Sequence, residues 1–472
     1  MERYKRHMTF GLAIIPFLVM IAAMAFTILS FDGSPHIPIL LGAAVAALIA
    51  WACGYSWDDL EKSIYEGIKK VLPAVVVLMM VGIIISAWIG GGIVSTMIYY
   101  GLEIISPSYF LAAIFVICTI VTLVMGSSWS TIGTVGVAGM GIGVSMGVPS
   151  AMTAGAIVSG AFFGDKMSPL SDTTILASGI AGSKLSEHIR HMLYTTVPAA
   201  VIALIVYTIM GMKFVGNSIN LQDINAVMAG LQQHFVISPW LLLIPLVVIL
   251  LVVKKVPALP ALTVGIILGF LANIMIQGGN IGSAVNALQS GYQINSGNDT
   301  VNELLNQGGL NSMMYTVSLA IVAMVFGGIM ESTGMLKVIV EQILKIARTG
   351  RSLAATTVIS SFLTNVITAE QYISIIIPGR MYAKAYQDKK LHPKNLSRAL
   401  EDGGTITSSL VPWSTDAVFV MNTLGVGALA YGPYAVLNYC VPIISIIFSL
   451  IGFSIVYTKK NGYSNQKADA GV

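Results

Sequence analysis

One eleven-residue stretch, Gly164-Asp-Lys-Met-Ser-Pro-Leu-Ser-Asp-Thr-Thr174, concentrates the groups of this chain best suited to chemistry. It holds two carboxylates (Asp165, Asp172), one ammonium (Lys166) and four hydroxyls (Ser168, Ser171, Thr173, Thr174) inside a long apolar run. A charged side chain at membrane depth is costly unless paired or hydrated, so each of these is a functional candidate by default. Pro169 has no amide hydrogen and its ring clashes with the preceding turn, so a helix breaks there. Unwinding frees backbone carbonyls. Together with carboxylate and hydroxyl oxygens these make the hard oxygen cage that a sodium ion prefers. The half-helix beyond the break presents a partly positive N-terminus suited to an anion. Lys166 is expected to neutralise Asp165 or Asp172, or else to contact an anionic substrate.

A second stretch, Thr405-Ile-Thr-Ser-Ser-Leu-Val-Pro-Trp-Ser-Thr-Asp416, repeats the pattern with one carboxylate and a break at Pro412. Ser414, Thr415 and Asp416 are its candidate ligands, and Asp165, Asp172 and Asp416 are the candidate sodium carboxylates. Thr407, Ser408 and Ser409 either join them or bond back to the preceding turn, as helix-interior hydroxyls often do. Glu401 and Asp402 read as a solvated N-cap at the cytoplasmic interface. Two further polar interruptions, Gly126-Ser-Ser-Trp-Ser-Thr131 and Thr368-Ala-Glu-Gln-Tyr372, read as hairpin tips. They add Ser127, Ser128, Thr131, Glu370 and Gln371 as ion or substrate ligands. Irregular backbone at membrane depth must be buried in protein or line a cavity. Trp129 and Tyr372 either wall that cavity or anchor the helices at the interface.

The rest of the titratable inventory points elsewhere. His7, His188, His191 and His392 fall at cytoplasmic edges, where an ordinary interfacial role is expected. The glycines of 133–143 have the small-xxx-small spacing of close helix packing, not of nucleotide binding. Cys53, Cys118 and Cys440 fit no disulfide framework or metal spacing and read as small buried hydrophobes. GxxxxGK[ST] is absent, which disfavours an ATP-driven pump. No in-span histidine supports a serine protease dyad, so no enzyme is expected and no cofactor is called for.

The elements that must position these groups are set by composition. Of 472 residues, 56% are hydrophobic and 10% charged, against about 25% charged in a soluble domain. The mean hydropathy is +0.82. Disorder, coiled coil and an ordinary soluble enzyme are excluded, and a polytopic all-α membrane protein remains. The net charge of +4 is small and dispersed, so nucleic acid is not a partner. At about 20 apolar residues per crossing, about ten spans are expected: 9–31, 37–53, 71–90, 150–181, 191–212, 238–254, 256–277, 312–332, 398–427 and 434–457. The stretches 108–147 and 352–386, each interrupted at its middle by polar residues, read as two re-entrant hairpins or as two spans apiece, with the topology unaffected either way. With the N-terminus cytoplasmic, all basic residues but Lys166 and Lys213 fall on the inner side, Arg398 and His-flanked Lys394 among them, and 214–237 and 278–311 carry no Lys or Arg. Both termini come out cytoplasmic, 55–70 is an amphipathic connector and the first apolar run is a retained span.

Sliding the chain by 243 residues lays Pro169 on Pro412, Ser171 on Ser414, Gly160 on Gly403, Gly182 on Gly425 and Trp129 on Tyr372. The charge pattern starts one copy inside and the other outside, so the repeat is inverted. Inverted repeats with matched broken helices are a transporter signature, with the site at the midplane breaks. The expected organisation is N-terminal helices 1–54, repeat 1 over 55–213 (hairpin 108–147, broken helix 150–181), linker helices and outer loops 214–311, inverted repeat 2 over 312–458 (hairpin 352–386, broken helix 398–427) and a tail 459–472.

The segment GAFFGDKMSPLSDTTILA (160–177) closely resembles the signature of the NhaC family of sodium/proton antiporters, which includes a malate/lactate-exchanging branch. PHIPILL at 35–41, the GSSWST tip and the VPWSTDAV break extend the resemblance over most of the chain. The family motif commonly continues with Asn where this chain has Ile175. The resemblance implies membership of the wider ion-transporter superfamily, an elevator fold, a bacterial-type plasma-membrane location and Na+ and H+ as transported ions. It leaves a homodimer, and a small carboxylate or amino acid, as further candidate partners beside the lipid bilayer. The leading expectation is Na+/H+ antiport by alternating access; the alternative is a sodium- and proton-coupled organic anion exchanger or amino acid transporter on the same scaffold.

Overall fold

A computed structural model describes residues 8–31, 33–213, 221–254, 256–298, 301–302, 305–345 and 347–458. The expected tail 459–472, the basic residues Arg3, Lys5, Arg6, Lys255, Lys459, Lys460 and Lys467, and His7 lie outside the described residues.

The chain opens with α1 (Phe10–Phe31) and α2 (His36–Ala52). The stretch expected as a separate connector is instead the first half of a 34-residue helix, α3 (Trp57–Gly90). Ser56 and Asp59 cap each other's backbone amides there, and this capping box starts the helix four turns before its apolar part begins. Next come α4 (Ile93–Ile104) and α5 (Pro107–Met125). The chain then turns at Gly126 into α6 (Ser128–Thr131), a π-turn over Ile132–Gly136 and α7 (Val137–Ser145). α8 (Ser150–Met167) and α9 (Asp172–Ala181) are the two halves of the first broken helix, followed by α10 (Leu185–Met212).

The linker holds α11 (Leu221–His234), α12 (Leu243–Val253), α13 (Ala258–Met275) and α14 (Ile281–Ser290). The second half then runs α15 (Met314–Ser332), α16 (Met335–Leu344), α17 (Gly350–Thr368) and α18 (Gln371–Asp388). α19 (Pro393–Gly403) and α20 (Thr405–Ser408) lead into the second break, α21 (Thr415–Leu424) leaves it, and α22 (Ala428–Tyr431) and α23 (Val436–Ile451) close the fold. No strand occurs among the described residues; Leu391 and Tyr457 share one isolated bridge.

Among the described residues, five stretches are long and apolar enough to cross a membrane alone: α1, α3, α5, α10 and the segment 310–332 containing α15. Two bent pairs, 225–234 with 239–251 and 428–434 with 436–451, reach that length together. The ten spans read from the sequence count broken and shorter helices as well. α4, α16, α11 and α14 are helices that the span reading passed over, the last two inside the loops expected on the outer side.

The element boundaries recur at the 243-residue spacing. Pro107–Met125 lies on Gly350–Thr368, 128–145 on Gln371–Asp388 and Asp172–Ala181 on Thr415–Leu424. The turn that ends each first hairpin arm is left-handed in both copies, at Gly126 (φ 69°) and Ala369 (φ 57°). Gly182 and Gly425 end the matched half-helices in the same conformation, which a residue without Cβ adopts at little cost. Gly160 lies against the carbonyl of Phe115, and its counterpart Gly403 against that of Val358; at both, a Cβ would collide with backbone. α5 and α8, and likewise α17 and α19, therefore pack at backbone distance.

α3 packs along α13 and α15, and α2 packs against α15 and α1. Lys70 and Glu331 form an ion pair of 2.6 Å at one end of the α3–α15 pair. His36 and Ser318 meet at 2.8 Å, with Tyr315 bonded to Ser34, at the other.

Candidate functional site

The two breaks and the two hairpin turns converge. Residues 168–171 connect α8 to α9, with Ser168 and Ser171 in extended backbone conformation, and 409–414 separate α20 from α21, with Pro169 and Pro412 inside the respective gaps. Each break is stapled to its own hairpin. Ser168 donates to the carbonyl of Leu123 (2.8 Å), and Trp413 Nε1 donates to that of Val366 (2.8 Å). Leu123 and Val366 occupy matching positions at the 243-residue spacing. Thr415 N donates to Ala369 O at 3.0 Å.

Asp165, at the end of α8, is buried and accepts one hydroxyl on each carboxylate oxygen: Ser128 on Oδ2 and Ser171 on Oδ1, both at 2.6 Å. Ser171 also meets Thr173 Oγ1 at 3.0 Å. Thr174 donates to the Lys166 carbonyl (2.9 Å), tying the two half-helices across the gap. Asp172 opens α9, takes Thr173 N (2.9 Å) and remains exposed. Ser127 is the N-cap of α6 and accepts from Ser130 N. In the second half, Glu370 caps α18 and accepts Thr415 Oγ1 at 3.0 Å. Ser414 caps α21 and donates to the Ser408 carbonyl. Asp416 is fully buried; its Oδ1 accepts Trp129 Nε1 at 2.5 Å and its Oδ2 has no partner. Thr131 is buried with its hydroxyl unpartnered.

A cavity of about 400 Å³ opens between these elements. Ser127, Ser128, Trp129, Asp165, Asp172, Gln371 and Tyr372 supply its polar wall, and Pro73, Val77, Leu170 and Pro257 its apolar side. Among the described residues no cationic side chain lines it, and no three His, Cys, Asp or Glu side chains converge as for a tightly held metal. The oxygen groups on its wall are the carboxylates of Asp165 and Asp172, the hydroxyls of Ser127, Ser128 and Tyr372 and the amide of Gln371. Glu370, Thr415 and Asp416 lie behind this wall and not in it.

Several sequence expectations need correcting. Lys166 neutralises neither Asp165 nor Asp172: it donates to Asp402 of α19, and both side chains are wholly buried. Thr195 of α10 adds a donor to the same carboxylate oxygen (3.1 Å), and Arg398 Nε lies 3.7 Å from the other. Glu401 and Asp402 are thus interior groups, not a solvated cap, and Arg398 is no loop charge; all three are 0% exposed. His188 and His191 are buried rather than interfacial. His392 is the N-cap of α19 and accepts from Lys394 N, with Glu187 3.7 Å away. Its imidazole is held below the ordinary range, first by burial and then by the Lys394 charge, with Glu187 acting in the opposite sense.

Trp129 and Tyr372 are not interfacial anchors; both line the cavity and both donate to carboxylates. Thr407 and Ser408 bond back to Gly403 and Thr405, so they hold their helix rather than a ligand. Ile175 is half exposed and is absent from the cavity wall, so the departure from the family motif does not touch this site. Cys53 and Cys118 are buried and Cys440 is partly exposed; all three are free thiols. Sequence reading missed Asn365 of α17, whose amide donates to the Gly404 carbonyl (2.5 Å) and to Thr407 (3.1 Å) where α19 gives way to α20. A mid-span Asn in an apolar run was the available signal.

A family model described as the Na+/H+ antiporter family matches residues 6–181 and 160–453. The Na+/H+ antiporter NhaC of Alkalihalophilus pseudofirmus is 38% identical over 95% of this chain and 96% of its own length. The Na+/H+ antiporter NhaC of Bacillus subtilis is also 38% identical, over 95% and 99%. The malate-2H+/Na+-lactate antiporter of Bacillus subtilis is 37% identical over 95% and 97%.

Proposed function

The chain belongs to the Na+/H+ antiporter family, and from that premise we propose that it exchanges Na+ for H+ by alternating access at the cavity between the two hairpin tips. It is a multi-pass membrane secondary transporter. Asp165 and Asp172 bind Na+ when ionised and a proton otherwise, and competition for one site couples the two fluxes. Ser128, Ser171 and Thr173, with carbonyls of the unwound 168–171 segment, complete the oxygen cage. Glu370, Thr415 and Asp416 form the matching half-site behind Trp129.

The observation that carries this reading over organic-anion exchange is the placement of Lys166. It is wholly buried and is engaged by Asp402 outside the cavity, while the cavity wall offers Asp165 and Asp172. A dicarboxylate would enter a wall that already holds two carboxylates, and like charges at close range in a poorly solvated site repel by several kcal/mol. The inverted repeat, the cytoplasmic termini, the plasma-membrane location and the elevator motion belong to the same proposal. Their support is the recurrence of elements at one spacing and the distribution of basic residues.

The test uses proteoliposomes containing a pH dye and an imposed Na+ gradient, with and without malate and lactate. Proton movement driven by Na+ alone is the expected result. Movement only when an organic acid is present would overturn the reading in favour of anion exchange.

A further inference from the structure

Each hairpin tip carries one aromatic residue with a polar hydrogen, and the two stand at matching positions: Trp129 and Tyr372. Neither bonds to the break of its own repeat. Trp129 Nε1 donates to Asp416 in the first turn of the half-helix after the second break, and the Tyr372 hydroxyl donates to Asp172 in the first turn after the first. The bonds cross. Every other side-chain link between a tip and a break described above stays within one repeat: Ser128 to Asp165, Ser168 to Leu123, Thr415 to Glu370 and Trp413 to Val366. The Trp129 ring also stacks on Phe419 of α21 at 5.2 Å, with 26° between planes.

We propose that Trp129 and Tyr372 are positioning residues that hold both tips closed while the carrier is empty, and release them when cargo arrives. The proposal rests on the reading of Asp172 and Asp416 as cargo carboxylates. A hydrogen bond to an ionised acceptor is about twice as strong as one to a neutral acceptor. An empty, charged carboxylate therefore grips its aromatic donor firmly. A cargo cation on the same carboxylate compensates that charge and weakens the grip. The tips are then free to move only when loaded. An exchanger needs this property, because return of the empty carrier dissipates the gradient that drives it. Because the bonds cross, loading one half-site loosens the tip of the other repeat, so the two tips are linked through the cargo groups themselves.

The test compares Tyr372→Phe and Trp129→Phe with the wild type in proteoliposomes, counting protons moved per Na+ and the net Na+ flux that occurs without proton exchange. Tyr372→Phe removes one oxygen and keeps the ring. Trp129→Phe keeps a ring against Phe419 and loses the donor. Phe419→Leu removes the stacking and keeps the donor. Loss of one charge-assisted bond raises the uncompensated Na+ flux roughly tenfold. The protons moved per Na+ fall in both donor variants while Na+ turnover persists, and Phe419→Leu keeps the wild-type ratio. An unchanged ratio in both donor variants overturns the proposal. So does equal uncoupling by Phe419→Leu, which would assign the effect to packing. Loss of all Na+ turnover in a donor variant that elutes as a folded protein also overturns it, since the residue would then be needed for binding. A wild type that moves no protons with Na+ refutes the functional reading instead of the latch.

Discussion

Lys166→Met isolates the consequence of a buried ion pair in this fold. Lys166 and Asp402 are both 0% exposed, on α8 and α19. Removing the ammonium leaves a carboxylate inside the protein without its countercharge, which typically costs 3–5 kcal/mol. Two groups remain to soften the loss: the Thr195 hydroxyl at 3.1 Å and Arg398 Nε at 3.7 Å. The expected cost is therefore at the lower end, about 3 kcal/mol, or roughly a hundredfold in the folded-to-unfolded ratio. Replacing both members, Lys166→Met with Asp402→Asn, removes that orphaned carboxylate but takes from the buried Arg398 its carboxylate at 3.7 Å, so it recovers only part of that stability. Denaturation of the purified protein in one detergent, followed for wild type, both single variants and the double variant, gives the cycle. A single variant as stable as wild type would show that the pair is not desolvated as described. A double variant no more stable than Lys166→Met would show that the loss is packing and not charge. The same set separates the two functions: the double variant retains Na+-driven proton movement, whereas a lysine serving as an anion contact would remove transport with little loss of stability.

Three further outcomes follow from the geometry. Asp172→Asn abolishes Na+-dependent proton movement in proteoliposomes; retained exchange in the correctly inserted variant refutes its role. Gly126→Val disrupts the first hairpin tip, since φ is 69° and a Cβ would lie 2.8 Å from the Leu170 carbonyl carbon, whereas Gly182→Ala, with open space and φ 72°, costs only the left-handed strain of about 1 kcal/mol; equal melting temperatures and activities for the two would refute the contact. For His392, whose folded-state pKa lies below its unfolded value, the unfolded chain takes the proton first as pH falls, so this contribution is full above about pH 6.5 and declines below it. His392→Gln flattens that acid-side loss, measured as the difference in melting temperature between pH 7.5 and 5.5, and an unchanged difference counts against it.

What the sequence made legible was the backbone programme. Pro169 and Pro412 break helices because of their own covalent structure, and Gly126, Gly182 and Gly425 mark left-handed turns that few other residues adopt. These constraints are local, so they survive in the sequence even where the two copies share little else. What it hid was pairing. Nothing near Lys166 in the chain indicates that its partner is Asp402, 236 positions away, when Asp165 is adjacent and Asp172 is closer. An adjacent carboxylate points to a different side of the helix, whereas α19 packs beside α9 and α10, bringing Asp402 to Lys166, only once the fold has formed. The same blindness turned Glu401 and Asp402 into a solvated cap and Arg398 into an inner-side charge, because they open the expected span 398–427 directly after a basic run. Ala369 shows the converse: no glycine announces its left-handed turn, and only the register with Gly126 places it.

The two halves share a backbone more closely than they share chemistry, and the difference is ordered. Where the first copy has Asp165 on the helix before the break, the second has Ser408; where the first has Ser127 at the tip, the second has Glu370. Each copy thus keeps one carboxylate on the half-helix after the break, Asp172 or Asp416, and one more on a different element. In the first, Asp165 on the helix accepts hydroxyls from the tip and the break; in the second, Glu370 on the tip accepts a hydroxyl from the break. A carboxylate seated on a break is presented by backbone that also supplies carbonyls, which suits a cation. A carboxylate seated on a tip moves with whatever opens. If Na+ is held chiefly by Asp165 and Asp172, then Glu370 is the group whose exposure follows the second tip, so Glu370→Gln alters the rate of exchange more than the apparent affinity for Na+. The mirror substitution in the first half, Asp165→Asn, alters the affinity first. A kinetic series over Na+ concentration distinguishes the two, and an affinity loss confined to Glu370→Gln would reverse the assignment of the half-sites.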